Sequence, residues 1–245
     1  MEKTRFEKKF LIDYASYVGI RAAVCQALEP DEFTGSQSAY PILSAYYDNE
    51  SMEFYRQKIE GEFDHVKIRL RTYSPSLLTP GKFFLEAKIK HNNNQYKVRI
   101  PLDPKTKEEC RQVLRPSFWA SLEDKGVDVI GESLFSTNLF HVCSVYYERE
   151  VYDGMIGSDR IRFNFDTHLT SLMPGEFTAT KELIASRNPL EYFAIMEIKC
   201  EKSELPKAVL ELLTMYSVHE TRVSKYSESI NLIHENYGGI ITYGI

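Results

Sequence analysis

Over residues 65–73 the chain alternates, residue by residue, between Val66, Ile68, Leu70 and Lys67, Arg69, Arg71. Successive side chains of a β-strand point to opposite faces, so a period of two predicts a strand with one apolar and one cationic face. The pattern recurs. Residues 83–90 set Glu86, Lys88 and Lys90 against Leu85, Ala87 and Ile89, and residues 95–102 set Lys97 and Arg99 against Val98 and Ile100. The polar His91-Asn92-Asn93-Asn94 between them reads as a hairpin turn. A first strand over 5–12 carries Arg5, Glu7 and Lys9 opposite Phe6, Phe10 and Ile12. Further strands are predicted over 42–48, over 141–152 with Arg149, over 159–168 with Arg160, Arg162 and Asp166, and over 192–200 with Glu197 and Lys199.

Helical spacing fills the gaps. Asp13 reads as the N-cap of a helix packing through Ala15, Val18, Ala22 and Leu28 and ended by Pro30. Residues 50–60 read as a short helix or irregular crossover closed by Gly61, and 104–140 as a helical section packing through Val113, Leu114, Phe118, Trp119 and Leu122. Two helices finish the chain, one after Pro206 and one over 224–235. No internal repeat or Pro/Gly/Ser-rich linker divides the 245 residues, so a single α+β domain spanning 1–245 is expected, with mostly antiparallel strands.

Composition narrows the function classes. A net charge of -5 argues against a broadly basic surface and so against a nucleic-acid partner; any basic site must be local. Cys25, Cys110, Cys143 and Cys200 form no Cys-x-x-Cys pair, which suits a reducing compartment. No stretch has the length and apolarity of a membrane span and the N-terminus has no apolar leader, so a cytoplasmic protein without a membrane segment is expected.

The cationic strand faces need an explanation. A solvated sheet surface is the ordinary one. Against it, like charges on neighbouring strands destabilise a sheet, and on these faces Lys and Arg far outnumber Glu and Asp. Such an excess implies an absent polyanion. If the sheet closes into a barrel with this face inward, the cations converge on a channel whose walls strengthen their field. Arg forks and Lys point charges both suit phosphate oxygens, which makes Lys67, Lys90, Lys97 and Arg99 candidate substrate-binding residues. Glu7, Glu86, Asp166 and Glu197 are either hard oxygen ligands for Mn²⁺ or Mg²⁺ shared with phosphate, or structural ion-pair partners of their neighbours. Asp166 leans to the ion pair and Glu197 to the metal.

Other chemistry is not signalled. The chain has no Gly-x-x-x-x-Gly-Lys-Ser/Thr loop, Gly-x-Gly-x-x-Gly, His-Glu-x-x-His or Gly-x-Ser-x-Gly. Its six histidines are dispersed, and Tyr146, Tyr147 and Tyr152 either pack or stack a base.

In order along the chain stand Arg5-Phe6-Glu7-Lys8-Lys9-Phe10, Tyr46-Tyr47-Asp48, Lys67-Ile68-Arg69-Leu70-Arg71-Thr72-Tyr73, Leu85-Glu86-Ala87-Lys88, Tyr147-Glu148-Arg149, Arg160-Ile161-Arg162-Phe163-Asn164-Phe165-Asp166, Met196-Glu197-Ile198-Lys199 and Ser224-Lys225-Tyr226. This set resembles the VTC domain, the polyphosphate polymerase domain of the vacuolar transporter chaperone family, in its short bacterial form. That family belongs to the triphosphate tunnel metalloenzymes. The resemblance implies a closed eight-stranded antiparallel β-barrel with flanking helices, a divalent metal, and ATP-dependent growth of inorganic polyphosphate with release of ADP. By position it makes Lys9, Arg69, Arg71, Lys88, Arg149, Arg162, Lys199 and Lys225 the phosphate-binding set and Glu197 the metal ligand, with Glu7 and Glu86 as further candidate ligands. The triphosphatase branch opens with Glu-x-Glu-x-Lys, whereas here Arg5 stands at the first of those Glu positions. With Arg5-Phe6-Glu7 matching the first barrel strand, the inositol-phosphate-sensing N-terminal domain of the eukaryotic polymerases is not expected.

Three uses of such a site stay open: polymerase, triphosphatase, and a binding module without turnover. Arg149 and Arg162 are expected to matter for turnover more than for stability, because clustered guanidinium groups without an anion repel one another.

Overall fold

A computed structural model describes residues 6–62, 65–91, 94–122 and 138–237. Arg5, the turn residues Asn92 and Asn93, and residues 123–137 of the expected helical section lie outside the described residues. The chain runs β1 (Phe6–Ile12), α1 (Tyr14–Ala27), β2 (Glu29–Pro30), α2 (Glu32–Gln37), β3 (Tyr40–Asn49), α3 (Glu53–Ile59), β4 (His65–Thr72), β5 (Phe83–His91) and β6 (Asn94–Leu102). It continues through α4 (Lys107–Val113), α5 (Pro116–Trp119), β7 (Leu139–Ile156), β8 (Asp159–Leu172), α6 (Lys181–Ser186), β9 (Ala194–Cys200), α7 (Lys207–Met215) and α8 (Lys225–Tyr237).

The strands form one sheet in the order β1-β9-β8-β7-β3-β4-β5-β6, with the two-residue β2 paired to β7. Register is antiparallel from β1 to β9, β9 to β8, β3 to β4, β4 to β5 and β5 to β6. The fold is therefore α+β, with eight strands on the main path as expected. Among the described residues no ladder joins β1 to β6, so hydrogen bonds do not close the sheet.

The chain divides into two compact units. The first comprises Met1–Pro41, Tyr147–Leu169 and Leu190–Ser224. Within it, register sets Glu7 opposite Lys199, Lys9 opposite Glu197, Arg162 opposite Lys199 and Asn164 opposite Glu197, so these residues share one face. The alternate residues Phe10, Ile12, Phe163, Phe165, Met196 and Ile198 bury against Ile20 and Val24 of α1 and Val209 and Leu213 of α7. Each large apolar side chain removed from water in this way contributes about 1.5–3 kcal/mol.

Asp13 caps α1 as expected, its carboxylate accepting from the Ser16 N–H at 2.7 Å. The expected packing stripe holds at Leu28, which is buried, and is corrected within the helix, which buries Ser16, Ile20 and Val24 while Ala15, Val18 and Ala22 are exposed. Ile and Val spaced at i and i+4 remove more apolar area from water than the alanines of the neighbouring row, and they set the rotation.

The second unit comprises Ile42–Tyr146, Thr170–Pro189 and Lys225–Ile245. Its register forms one row of Lys67, Lys88 and Lys97 and the next of Arg69, Glu86 and Arg99. The other face brings Ala45, Ile68, Leu70, Leu85, Ala87 and Ile100 into a core with Phe54, Trp119, Cys110 and Val113. The Trp119 indole N–H is satisfied by the Val113 carbonyl at 2.7 Å. The 104–140 expectation is also corrected in part. Pro116 starts a new turn after α4 because proline cannot continue the helix before it, and by Leu139 the chain is already in β7.

Candidate functional site

In the first unit a cluster forms around three carboxylates. Asp166, fully buried, receives both arms of Arg149: Nε donates to Oδ1 at 2.5 Å and Nη2 to Oδ2 at 2.6 Å. The same Nη2 reaches Glu197 Oε2 at 3.4 Å, and the guanidinium lies 5.2 Å from the centroid of the Tyr147 ring. Burial works against the charge on Arg149, yet the Asp166 carboxylate outweighs it and holds the guanidinium well above its ordinary pKa. Lys9 and Lys199 sit between the other two acids. Lys9 Nζ lies 3.3 Å from Glu7 and 3.9 Å from Glu197, and Lys199 Nζ lies 3.6 Å and 3.9 Å from the same pair. Burial, with Arg149 adding, pushes Lys199 below its ordinary value against the pull of Glu197 and Glu7.

Arg162 lies beside this cluster. Its Nε donates to Asn164 Oδ1 at 3.2 Å, and Asn164 Nδ2 in turn donates to Glu197 Oε2 at 3.4 Å. Asp31 at 3.4 Å and Asp153 at 3.9 Å flank the far side of the guanidinium. Arg162, Lys199, Asp153, Arg160 and Glu201 line a small cavity of about 10 Å³.

In the second unit the centre is Glu86. Its carboxylate accepts from Arg69 Nε at 2.7 Å, with Arg99 Nε at 3.4 Å and Arg71 Nε at 3.7 Å. Burial would raise its pKa, but Arg69 and Arg71 dominate and bring it down to about 2. The surrounding shell orients the guanidinium groups. Arg69 Nη1 donates to the Tyr46 hydroxyl at 3.1 Å, Arg71 Nε to Ser44 Oγ at 3.1 Å, and Arg99 Nη2 to the Tyr73 hydroxyl at 3.0 Å while stacking 3.7 Å over Phe84. Lys67, Lys88 and Lys97 stand abreast on β4, β5 and β6, with Lys88 and Lys97 exposed. Lys90 pairs in register with His65, whose pKa is lowered by burial and then by Lys67, Lys58 and Lys90. Lys225 is the first residue of α8 and is half-buried.

The expected site residues thus gather in two groups, and sequence reasoning missed part of what orients them. Asn164 has the charged parity of β8 and was legible as a face residue. Tyr46, Ser44, Asp31 and Asp153 enter only through register and loop placement. Arg149, expected to matter for turnover more than for stability, makes a two-pronged bond to a fully buried carboxylate, which gives it a part in the framework as well. Tyr146, Tyr147 and Tyr152 are all buried, which fits packing rather than base stacking.

One Ser–His pair invites a nucleophile reading and does not support it. His141 Nδ1 accepts the Gly175 N–H at 3.0 Å, which leaves the proton on Nε2, 2.9 Å from Ser144 Oγ. The imidazole therefore donates to Ser144 and cannot take its proton. No group of three or more His, Cys, Asp or Glu side chains among the described residues forms a ready metal cage. Among the described residues no helix is long and apolar enough to cross a membrane.

Comparison with curated proteins returned no match. A solved structure from Bacillus halodurans, provisionally described as an adenylate cyclase, matches over 96% of this chain and 98% of its own, with a TM-score of 0.50 at 13% identity. At that identity the likeness speaks for the fold alone. The family model for the VTC domain matches residues 4–234, nearly the whole length, and takes in both clusters. The chain belongs to the VTC domain family, and its fold is that of a triphosphate tunnel domain.

Proposed function

We propose that this chain is a phosphotransferase that moves the γ-phosphate of ATP onto the end of a growing polyphosphate chain. The observation that carries this reading is the state of the acids on the cationic faces. Glu86 is held at a pKa of about 2 by arginines, Asp166 is clasped by Arg149, and Glu7 and Glu197 lie between Lys9 and Lys199. A carboxylate with a pKa as low as that of Glu86 is a poor base for deprotonating water, and the other three are engaged by neighbouring cations. A terminal phosphate is already anionic near neutral pH and needs no base, so transfer to phosphate suits this site better than hydrolysis.

Phosphoryl transfer asks the protein mainly for alignment and charge stabilisation. Lys9, Arg149, Arg162 and Lys199 in the first unit, and Arg69, Arg71, Lys88 and Arg99 in the second, would hold phosphate oxygens. Lys67, Lys90, Lys97 and Lys225 would add attraction for the polyanion. Arg149 and Arg69 come pre-oriented by their carboxylates, so little side-chain freedom remains to be lost on binding.

Glu7 and Glu197 fit a Mn²⁺ or Mg²⁺ ion, since such ions commonly take one or two carboxylates and complete their shell with water and substrate phosphates. When bound there, the ion would withdraw charge from phosphoryl oxygens. Glu86 does not fit that role, because Arg69 donates to its carboxylate at 2.7 Å, whereas Arg149, Lys9 and Lys199 lie 3.4–3.9 Å from Glu197; in this reading it positions the arginines.

The test is incubation with ATP and Mn²⁺, followed by separate assays for long-chain polyphosphate, free phosphate and ADP. ADP with polymer is the expected result. ADP with free phosphate and no polymer would replace this reading with a triphosphatase, and bound but unchanged ATP with a binding module.

A further inference from the structure

Tyr226 is the second residue of α8 and is 2% exposed. Its hydroxyl donates to Asp48 Oδ2 at 2.7 Å, and its ring stacks on Tyr46 with centroids 4.9 Å apart and planes inclined by 22°. Asp48, at the end of β3, is fully buried. It also accepts the backbone N–H groups of Asn49, Phe54 and Tyr55 at 2.8, 3.0 and 2.9 Å, which ties it to the start of α3. The stacked partner Tyr46 faces Arg69 across the β3–β4 ladder and accepts from its Nη1 at 3.1 Å. A continuous set of contacts therefore runs from Asp48 through Tyr226 and Tyr46 to Arg69, and all of it lies within the second unit.

A guanidinium held by one carboxylate can still swing about that contact. The Glu86 bond fixes Nε of Arg69, and the Tyr46 hydroxyl fixes a second nitrogen in the guanidinium plane, which removes that freedom. The hydroxyl can do this only if the Tyr46 ring is itself held, and the Tyr226 ring covers its face. Tyr226 in turn is pinned by a charge-assisted bond to a buried carboxylate, which makes its position well determined.

We infer that Tyr226 is a positioning residue, which, through Tyr46, sets the orientation in which Arg69 meets an incoming phosphate group. The inference rests on the proposed triphosphate site but not on the reaction performed there. Tripolyphosphate binding to the full chain is measured by titration calorimetry for wild type, Tyr226→Phe, Tyr46→Phe and Ile230→Val. Ile230 is a fully buried residue of the same helix, and its variant is a control for stability loss alone. The two tyrosine variants should raise Kd about five- to tenfold, the scale of one weakened charge-assisted contact. Ile230→Val should stay within about twofold of wild type, and Tyr226→Phe should add nothing in an Arg69→Lys background.

Tyr46→Phe keeps the stacked ring and removes only the hydroxyl that Arg69 reaches, so it carries the test if Tyr226→Phe does not fold. Wild-type affinity in the folded tyrosine variants, or equal weakening by Ile230→Val, overturns the inference. A wild-type chain that binds tripolyphosphate but makes no polymer would sink the proposed reaction and leave this inference standing. A wild-type chain that binds none would sink both.

Discussion

Replacing Arg149 by Ala should destabilise the ligand-free protein severely. The substitution leaves Asp166, at 0% exposure, without the guanidinium that satisfies both of its oxygens, and deprives Glu197 of a neighbouring cation. Breaking a buried ion pair by removing one partner costs about 3–5 kcal/mol, mostly because the remaining charge is stranded away from water. For a chain of this length each kcal/mol lowers the melting temperature by about 2–4 °C, so a fall of roughly 6–20 °C is expected. Arg162→Ala is the internal comparison. Its side chain is 34% exposed and its carboxylate contacts are no shorter than 3.4 Å, so about 1 kcal/mol or less is at stake. The assay is thermal unfolding without ligand at neutral pH for both variants, with Arg149→Ala/Asp166→Ala as a third. Removing Asp166 as well should recover part of the loss, because no buried charge is then left unpaired. An Arg149→Ala protein that melts with wild type, or a double variant that recovers nothing, would refute the reasoning.

Burial holds His141 neutral with its pKa pushed down to about 3, whereas the unfolded imidazole gains a proton below its ordinary 6.5. Its contribution to stability is therefore complete above pH 6.5 and drains away as pH falls toward 3. By pH 5 the loss is roughly 2 kcal/mol, and His141→Gln should flatten the melting profile between pH 7 and 5; an unchanged slope in a folded variant would count against the burial argument. Because burial depresses Lys199 below 10.5, tripolyphosphate affinity should begin to fall at a lower pH than an ordinary lysine would allow, and Lys199→Arg should hold affinity to higher pH in the same calorimetric titration. Glu197→Ala should abolish the Mn²⁺ dependence of turnover while the protein stays folded, checked by activity against metal concentration beside a melting curve.

Strand faces were legible because alternation is a local property of the chain. What neutralises what was not, because register decides it and alternation is silent on register. Lys67, Lys88 and Lys97 share a row while Arg69, Glu86 and Arg99 share the next, and a shift of two residues on β5 would preserve both faces yet place Glu86 among lysines. Arg149 and Asp166 are likewise separated by a strand connection, so their union could not be read from either strand. The Tyr46-Tyr47-Asp48 segment shows how a family motif mixes duties. Tyr47 turns into the core and donates to the Leu114 carbonyl at 2.7 Å, while Tyr46 reaches Arg69 and Asp48 receives Tyr226. The short helices α2 and α6 escaped notice although each begins at a side-chain cap, Asp31 to Thr34 and Thr180 to Leu183, because six residues carry too little periodicity to register.

The two clusters differ in charge, and the difference bears on how the proposed chemistry divides between them. Among the described residues of the first unit Lys9, Arg149 and Lys199 interleave with Glu7, Asp166 and Glu197, with Arg162 beside them. A phosphate entering there would meet carboxylates as well as cations, its oxygens set beside Glu7 and Glu197. A divalent cation on Glu7 and Glu197 would reverse that balance, which is why a metal requirement is expected of this cluster in particular. Among the described residues of the second unit Arg69, Arg71 and Arg99 gather at Glu86, and the row of Lys67, Lys88 and Lys97 adds more positive charge. Polyanion binding there should need no metal and should weaken with salt as exposed charges are screened over a Debye length of about 8 Å at physiological ionic strength. Glu86 is then best understood as the residue that lets three arginines coexist in the empty protein. Its charge offsets their mutual repulsion, and its hydrogen bond to Arg69 keeps that guanidinium in place before any phosphate arrives.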